Sequence, residues 1–102
     1  MESKLLKQIW LAASGRGLTL WRNNVGTATT TTGQFIRFGL CPGSSDLIGF
    51  TPVEINGKFY AIFTCIEVKT PNGKISKEQM NFIEFINKNG GIGKIVRSIE
   101  EI

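Results

Sequence analysis

The sequence predicts an α/β fold: a mixed β-sheet flanked by helices, in the order α-β-β-β-β-α-β. Three observations carry that expectation. Apolar residues recur at helical spacing near both ends of the chain, in 2–14 and 76–91. The central stretch KFYAIFTCIEVKT, 58–70, is apolar on both alternating faces, as suits a strand packed from two sides. Turn-forming residues separate the segments between, and helices bracketing strands belong to a layered α/β arrangement.

The first helix, ESKLLKQIWLAAS at 2–14, aligns Glu2, Leu5, Leu6, Ile9 and Ala13 on one face, and Gly-Arg-Gly at 15–17 ends it. LTLWRNN at 18–24 is the first predicted strand. VGTATTTTG at 25–33, with its tract Thr27–Thr32 broken only by Ala28, is expected to be a mobile hairpin loop rather than a strand. QFIRFG returns as the second strand, CPGSS is a turn, and DLIGF is a short third strand. Asn56-Gly57 supplies the hairpin turn into the long central strand. The second helix, 76–91, takes Ser76 as N-cap and Gly90 as the residue past its C-cap, and IGKIVRSI closes the order as a last strand. No repeat or linker divides residues 1–102, so one domain is expected.

Composition narrows the chemistry. Twelve Lys and Arg against 8 Asp and Glu leave a net charge of +4, which favours a polyanionic partner without requiring one. No apolar run is long enough to span a bilayer, and the acid at position 2 argues against a targeting segment, so a cytoplasmic protein is expected. Cys41 and Cys65 make no disulfide framework, and mid-strand Cys65 is expected to pack as a small apolar group. The chain has no histidine. That excludes Ser-His and Cys-His hydrolases, histidine-ligated zinc and any histidine general base. Catalysis here would run on carboxylates, lysine, water and a hard metal.

Residue types fitting that chemistry occur in GSSDLIGF at 43–50 and IEVKT at 66–70. Strand residues two apart share a face, so Glu67 and Lys69 project together beyond Phe63 and Cys65. If 46–50 and 58–70 form an antiparallel hairpin, Asp46 comes level with Glu67. Two facing carboxylates repel unless a cation intervenes. Mg²⁺ or Mn²⁺ suits such oxygen donors, polarises a phosphodiester and acidifies bound water. Lys69 alongside would hold or deprotonate the attacking water, or stabilise charge on the phosphate. Taken alone, an acid-x-lysine triplet on a strand is just as well an exposed charge pair.

Two outlying residues extend the set. Glu2 falls on the apolar face of the first helix, where a carboxylate needs a partner, although a first-turn acid also complements the helix dipole. Gln79 shares a helix face with Phe82, Ile83 and Ile86 and should reach the sheet, although Ser76-x-x-Gln79 also matches a capping box. Arg22, Arg37, Lys58, Lys74, Lys77 and Arg97 are candidate phosphate contacts, Arg22 and Arg37 flanking the threonine loop. A solvated surface accounts equally for many such cations.

Inward Glu2, then WRNNVG, GSSDLIGF, IEVKT, SKEQMNFIEFINKNGG and IGKIVRS, in this order and spacing, resemble the VRR-NUC nuclease domain of the PD-(D/E)xK superfamily over nearly the whole chain. The resemblance implies a restriction-endonuclease-like core. It implies Asp46, Glu67 and Lys69 as the central site, Glu2 and Gln79 in support, and the Val68 carbonyl as a further metal ligand. Small virus- and bacteria-encoded members of this kind are similar to dimeric Holliday-junction resolvases, which implies branched DNA, a homodimer and a bacterial or phage-infected host cell. Pro42 lies four residues before Asp46, a displacement from the superfamily's motif. The expectation is a Mg²⁺- or Mn²⁺-dependent structure-specific endodeoxyribonuclease. Its rivals are a non-catalytic DNA-junction-binding module and a flap or non-specific nuclease with the same site.

Overall fold

The structure, a computed structural model, describes the chain from residue 2 to residue 102, and its side chains from Lys4 onward. Helix α1 (Glu2–Gly15) precedes strands β1 (Thr19–Arg22), β2 (Gly26–Thr29), β3 (Phe35–Phe38), β4 (Leu47–Ile55) and β5 (Lys58–Val68). Helix α2 (Lys77–Lys88), strand β6 (Ile92–Val96) and a short 3-10 turn (Ile99–Glu101) complete it. The main sheet runs β1-β4-β5-β6, with β5 central. Its first two pairings are antiparallel and β5–β6 is parallel, so the sheet is mixed as the sequence predicts.

Each helix takes one face. Leu6, Ile9 and Ala13 of α1 pack with Leu20, Leu47, Ile66, Val68 and Val96 into the main core. Trp10 ties the helix to β1 by donating its indole N–H to the Leu20 carbonyl at 2.9 Å. On the opposite face α2 lies so close to β6 that a Cβ added to Gly93 would sit 3.1 Å from the Ile83 side chain and 3.3 Å from Cys65 Sγ. Ser76 caps α2 and Gly90, at φ +93°, follows its C-cap Asn89, both as the sequence indicates.

Three features depart from the sequence expectation. Part of the threonine segment is a strand, β2, which pairs with β3 in a separate two-stranded sheet; five strands therefore precede α2, not four. The third predicted strand runs on to Ile55 through Pro52. β1 reaches β4 only as far as Phe50, so Pro52 sits where β4 has an open edge and its missing N–H breaks no ladder. Finally, β5 is fully buried only from Thr64 to Val68, and its first half is largely exposed.

Candidate metal and nuclease site

The site is set by a turn. Asn56 and Gly57, both at positive φ (51° and 80°), make the two-residue connection between β4 and β5 whose twist matches the strands. That turn pairs Ile55 with Lys58 and, along the ladder, Leu47 with Ile66. Asp46 stands one step beyond, level with Glu67, because each is equally far from the turn. Directly opposed residues share a face, so the two carboxylates leave the sheet on the side of Cys65 and Lys69.

Asp46 is held from both sides. Its carbonyl accepts from Asn23 N–H at 2.7 Å, continuing the β1–β4 ladder, and its Oδ2 accepts from Val68 N–H at 2.8 Å. A strand residue directs its N–H and C=O to the same edge. The Val68 carbonyl therefore faces the Asp46 side.

Glu67 is almost wholly buried, at 2 % exposure. Lys69 Nζ lies 3.7 Å from its Oε2, and Gln79 Nε2 donates to that same oxygen at 3.1 Å. Gln79 also closes the capping box: its Oε1 accepts from Ser76 N–H and its own N–H donates to Ser76 Oγ. The two roles open to Gln79 in the sequence are thus filled together, and the cap locks α2 to the acid it touches. Burial pushes the thiol of neighbouring Cys65 up, the Glu67 charge adds to the effect, and the Ser45 hydroxyl opposes it. Cys65 is packing, as expected, rather than a nucleophile.

The donor set suits a hard cation: two carboxylates from adjacent strands and a main-chain carbonyl, with no imidazole. Among the described residues no group of three or more His, Cys, Asp or Glu assembles a metal site. The predicted third acid, Glu2, has its side chain outside the described residues.

Asn23, which the sequence offers only as part of WRNNVG and with no role of its own, organises the approach to Asp46. Buried between the hairpin base and the turn, its Nδ2 donates to Ser44 Oγ (2.8 Å) and the Ser45 carbonyl (2.9 Å). Its Oδ1 accepts from Leu40 N–H at 2.9 Å. One side chain thereby joins both feet of the β2–β3 hairpin to the Ser44–Asp46 segment. Between hairpin and turn lies a cleft of about 510 Å³, lined by Val25, Thr27, Arg37, Phe38, Leu40 and Pro42 among others.

The candidate phosphate contacts are dispersed. Arg22 donates Nε to Asn24 Oδ1 at 2.8 Å, and the Arg37 guanidinium lies 5.8 Å from the Phe35 ring centre. Lys74 and Lys77 are exposed around the start of α2, next to Gln79. Arg97 donates to the carbonyls of Thr70 and Gly73, at 2.8 and 2.6 Å, and so pins the turn that follows Lys69. Lys58 lies at the far end of β5, about 30 Å from Glu67 by strand rise.

Residues 2–99 match the VRR-NUC domain family, nearly the whole chain. No curated protein and no solved structure matches it.

Proposed function

The chain belongs to the VRR-NUC domain family, a nuclease domain acting on DNA, and from that premise we propose a Mg²⁺- or Mn²⁺-dependent endodeoxyribonuclease that cuts branched DNA as a homodimer. The observation that carries this reading is the register that sets Asp46 beside Glu67, with Lys69 and Gln79 gathered on the Glu67 carboxylate. Asp46, Glu67 and the Val68 carbonyl would hold the metal, which supplies Lewis acidity towards a phosphodiester and an acidified water when bound. Lys69 carries the ammonium that positions the attacking water or offsets charge on the phosphate. Gln79 fixes the Glu67 carboxylate, and Val68 N–H fixes that of Asp46. Glu2, on α1, is the proposed third acid.

Hydrolysis adds the water oxygen to phosphorus and breaks the bond to one sugar oxygen, which leaves with a proton. Lys74 and Lys77 flank the site and would contact the backbone of the bound strand, as Arg22 and Arg37 would from the hairpin side. Arg97 serves by holding the 70–73 turn. One site per chain cuts one strand, so symmetric cleavage of a junction needs a two-fold pair.

The test is cleavage of four-way-junction, flap, splayed and linear duplex DNA with Mg²⁺ or Mn²⁺. Junction cleavage by the native chain, abolished in Asp46→Asn while junction binding persists, is expected. Equal cleavage by Asp46→Asn would move the chemistry elsewhere. Binding without cleavage of any substrate would favour the non-catalytic module.

A further inference from the structure

Both faces of the sheet are open along the first half of β5, with Ile55 and Tyr60 exposed on the α1 side and Phe59 and Phe63 on the α2 side. α1 lies over the Leu20, Leu47 and Ile66 side. On the other side α2 reaches only as far as Phe63: a Cβ on Gly91 would meet Ile86 at 2.6 Å and the Phe63 carbonyl at 2.9 Å. Beyond it Trp21, Ile48, Phe50, Ala61 and Phe63 line an open groove of about 300 Å³. Strand register places Phe59 on the same face. Trp21 and Phe50 stack tilted at 6.1 Å.

Such a surface is costly in water. Trp21 is 56 % exposed, Phe59 74 % and Phe63 38 %. Those three rings alone expose on the order of 400 Å². That is about half of the roughly 800 Å² each partner contributes to a stable interface. Ile48, Phe50, Ala61 and Pro52 extend it, and contiguous apolar surface of this size marks a contact site.

We infer that this face, centred on Trp21, Phe50 and Phe63, is the two-fold interface with a second copy of the chain. The inference rests on the dimer reading above and names its surface. The groove residues include no Lys or Arg, so a nucleic-acid backbone would find nothing there to neutralise it. A second copy brings the same aromatic groove, uncharged except for Glu54 opposite Phe59 at its rim, and an isologous contact requires a patch that complements itself. Continuity with the site supports the choice. Phe59, Ala61, Phe63, Cys65, Glu67 and Lys69 form one row on one face of β5. Glu67 lies about 13 Å along the strand from Phe63, so an axis near the Phe50–Phe63 pair sets the two Glu67 residues roughly 25 Å apart. Both leave their sheets on the interface side.

The experiment measures mass in solution, by sedimentation or light scattering, on the full chain. Native protein should run at twice the 11.3 kDa chain mass. Trp21→Glu and Phe63→Glu should be monomers with native circular dichroism, while Leu11→Glu, exposed on α1, remains dimeric. Should either groove variant fail to fold, Phe59→Glu, at a far more open position, makes the same test. Ala61→Cys in a Cys41→Ser background should oxidise to a covalent dimer, and Leu11→Cys should not. A native monomer, or dimers unchanged by all three face variants, overturns the inference. Loss of junction binding by Trp21→Glu with unchanged mass would assign the face to nucleic acid and overturn it too. Mn²⁺-induced stabilisation of the monomeric variants reads the metal site separately, so failure of the interface and failure of the site are distinguishable.

Discussion

Lys69→Ala tests the site at its most strongly coupled contact. The ammonium stands 3.7 Å from a carboxylate oxygen of Glu67, with Lys69 at 13 % and Glu67 at 2 % exposure. At an effective dielectric near 20 that separation corresponds to about 4 kcal/mol of attraction. Removing one partner of a buried pair costs about 3–5 kcal/mol, because the other charge stays buried. Discounted for the solvent reaching Lys69, about 3 kcal/mol is expected in EDTA. For a chain of this length that lowers Tm by about 12–24 °C.

Metal should reverse much of it. A cation held by Asp46 and Glu67 replaces the lost ammonium, and Mn²⁺ at about 100 times its Kd restores about 2.7 kcal/mol. In the native protein Lys69 already offsets Glu67, so the same Mn²⁺ should stabilise it less. The assay is urea unfolding of both proteins in EDTA and in Mn²⁺, beside junction cleavage. Cleavage should stay absent in Lys69→Ala even where Mn²⁺ has restored the fold, and exposed Lys74→Ala should change stability by no more than about 0.5 kcal/mol. If Lys69→Ala matches native stability in EDTA, or gains nothing from Mn²⁺, the shared-cation reasoning is refuted.

Other perturbations probe the frame. Asn23→Ala removes three side-chain hydrogen bonds around the Ser44–Asp46 segment; unpaired groups left there cost about 1–3 kcal/mol each. A loss of about 2–4 kcal/mol in urea unfolding is expected, with kcat falling more than KM rises, and an unchanged kcat would deny Asn23 its hold on Asp46. Gly49→Ala forces a Cβ to within 1.9 Å of the Thr19 carbonyl, so β1 must separate from β4; the variant should unfold at least about 3 kcal/mol more easily, measured the same way. Of the two thiols, exposed Cys41 should react with a thiol reagent in the native state and buried Cys65 only on unfolding; labelling of both without denaturant would contradict the packing of β5.

The parts of the site legible in the sequence were those governed by local rules. Asn56-Gly57 dictates a two-residue turn, the turn dictates register, and register carries Asp46 to Glu67. Alternation alone puts Lys69 on the same face. The alternatives for Gln79 were legible but not that both hold, because a helix cap and a sheet contact are independent until α2 is docked. β2 was missed because its only partner is β3, and a threonine-rich segment between glycines has as much turn as strand character. β4 was cut short because Pro52 signals a break wherever a neighbouring strand would need its N–H, and only the topology shows that β1 has already ended there. Asn23 stands within WRNNVG, but its bracing role is not legible there, since its contacts run to Leu40 and to Ser44 and Ser45, residues that no spacing rule connects.

The apolar row of β5 misled for a related reason that bears on function. Apolarity on both faces predicts cover on both faces, yet the half from Lys58 to Phe63 is largely open, Tyr60 on the α1 side and Phe59 and Phe63 on the side where α2 stops. The same alternating row is aromatic where it is uncovered and turns to Cys65, Glu67 and Lys69 where α2 closes over it. A carboxylate as deeply buried as Glu67 is tolerated only with compensating charge and hydrogen bonds, which Lys69 and Gln79 provide. The uncovered aromatics have no such compensation within the described chain. One face of one strand therefore holds two different environments, a carboxylate compensated by Lys69 and Gln79 at its buried end and uncovered aromatics at its open end. The two-fold pair inferred above would cover the open end.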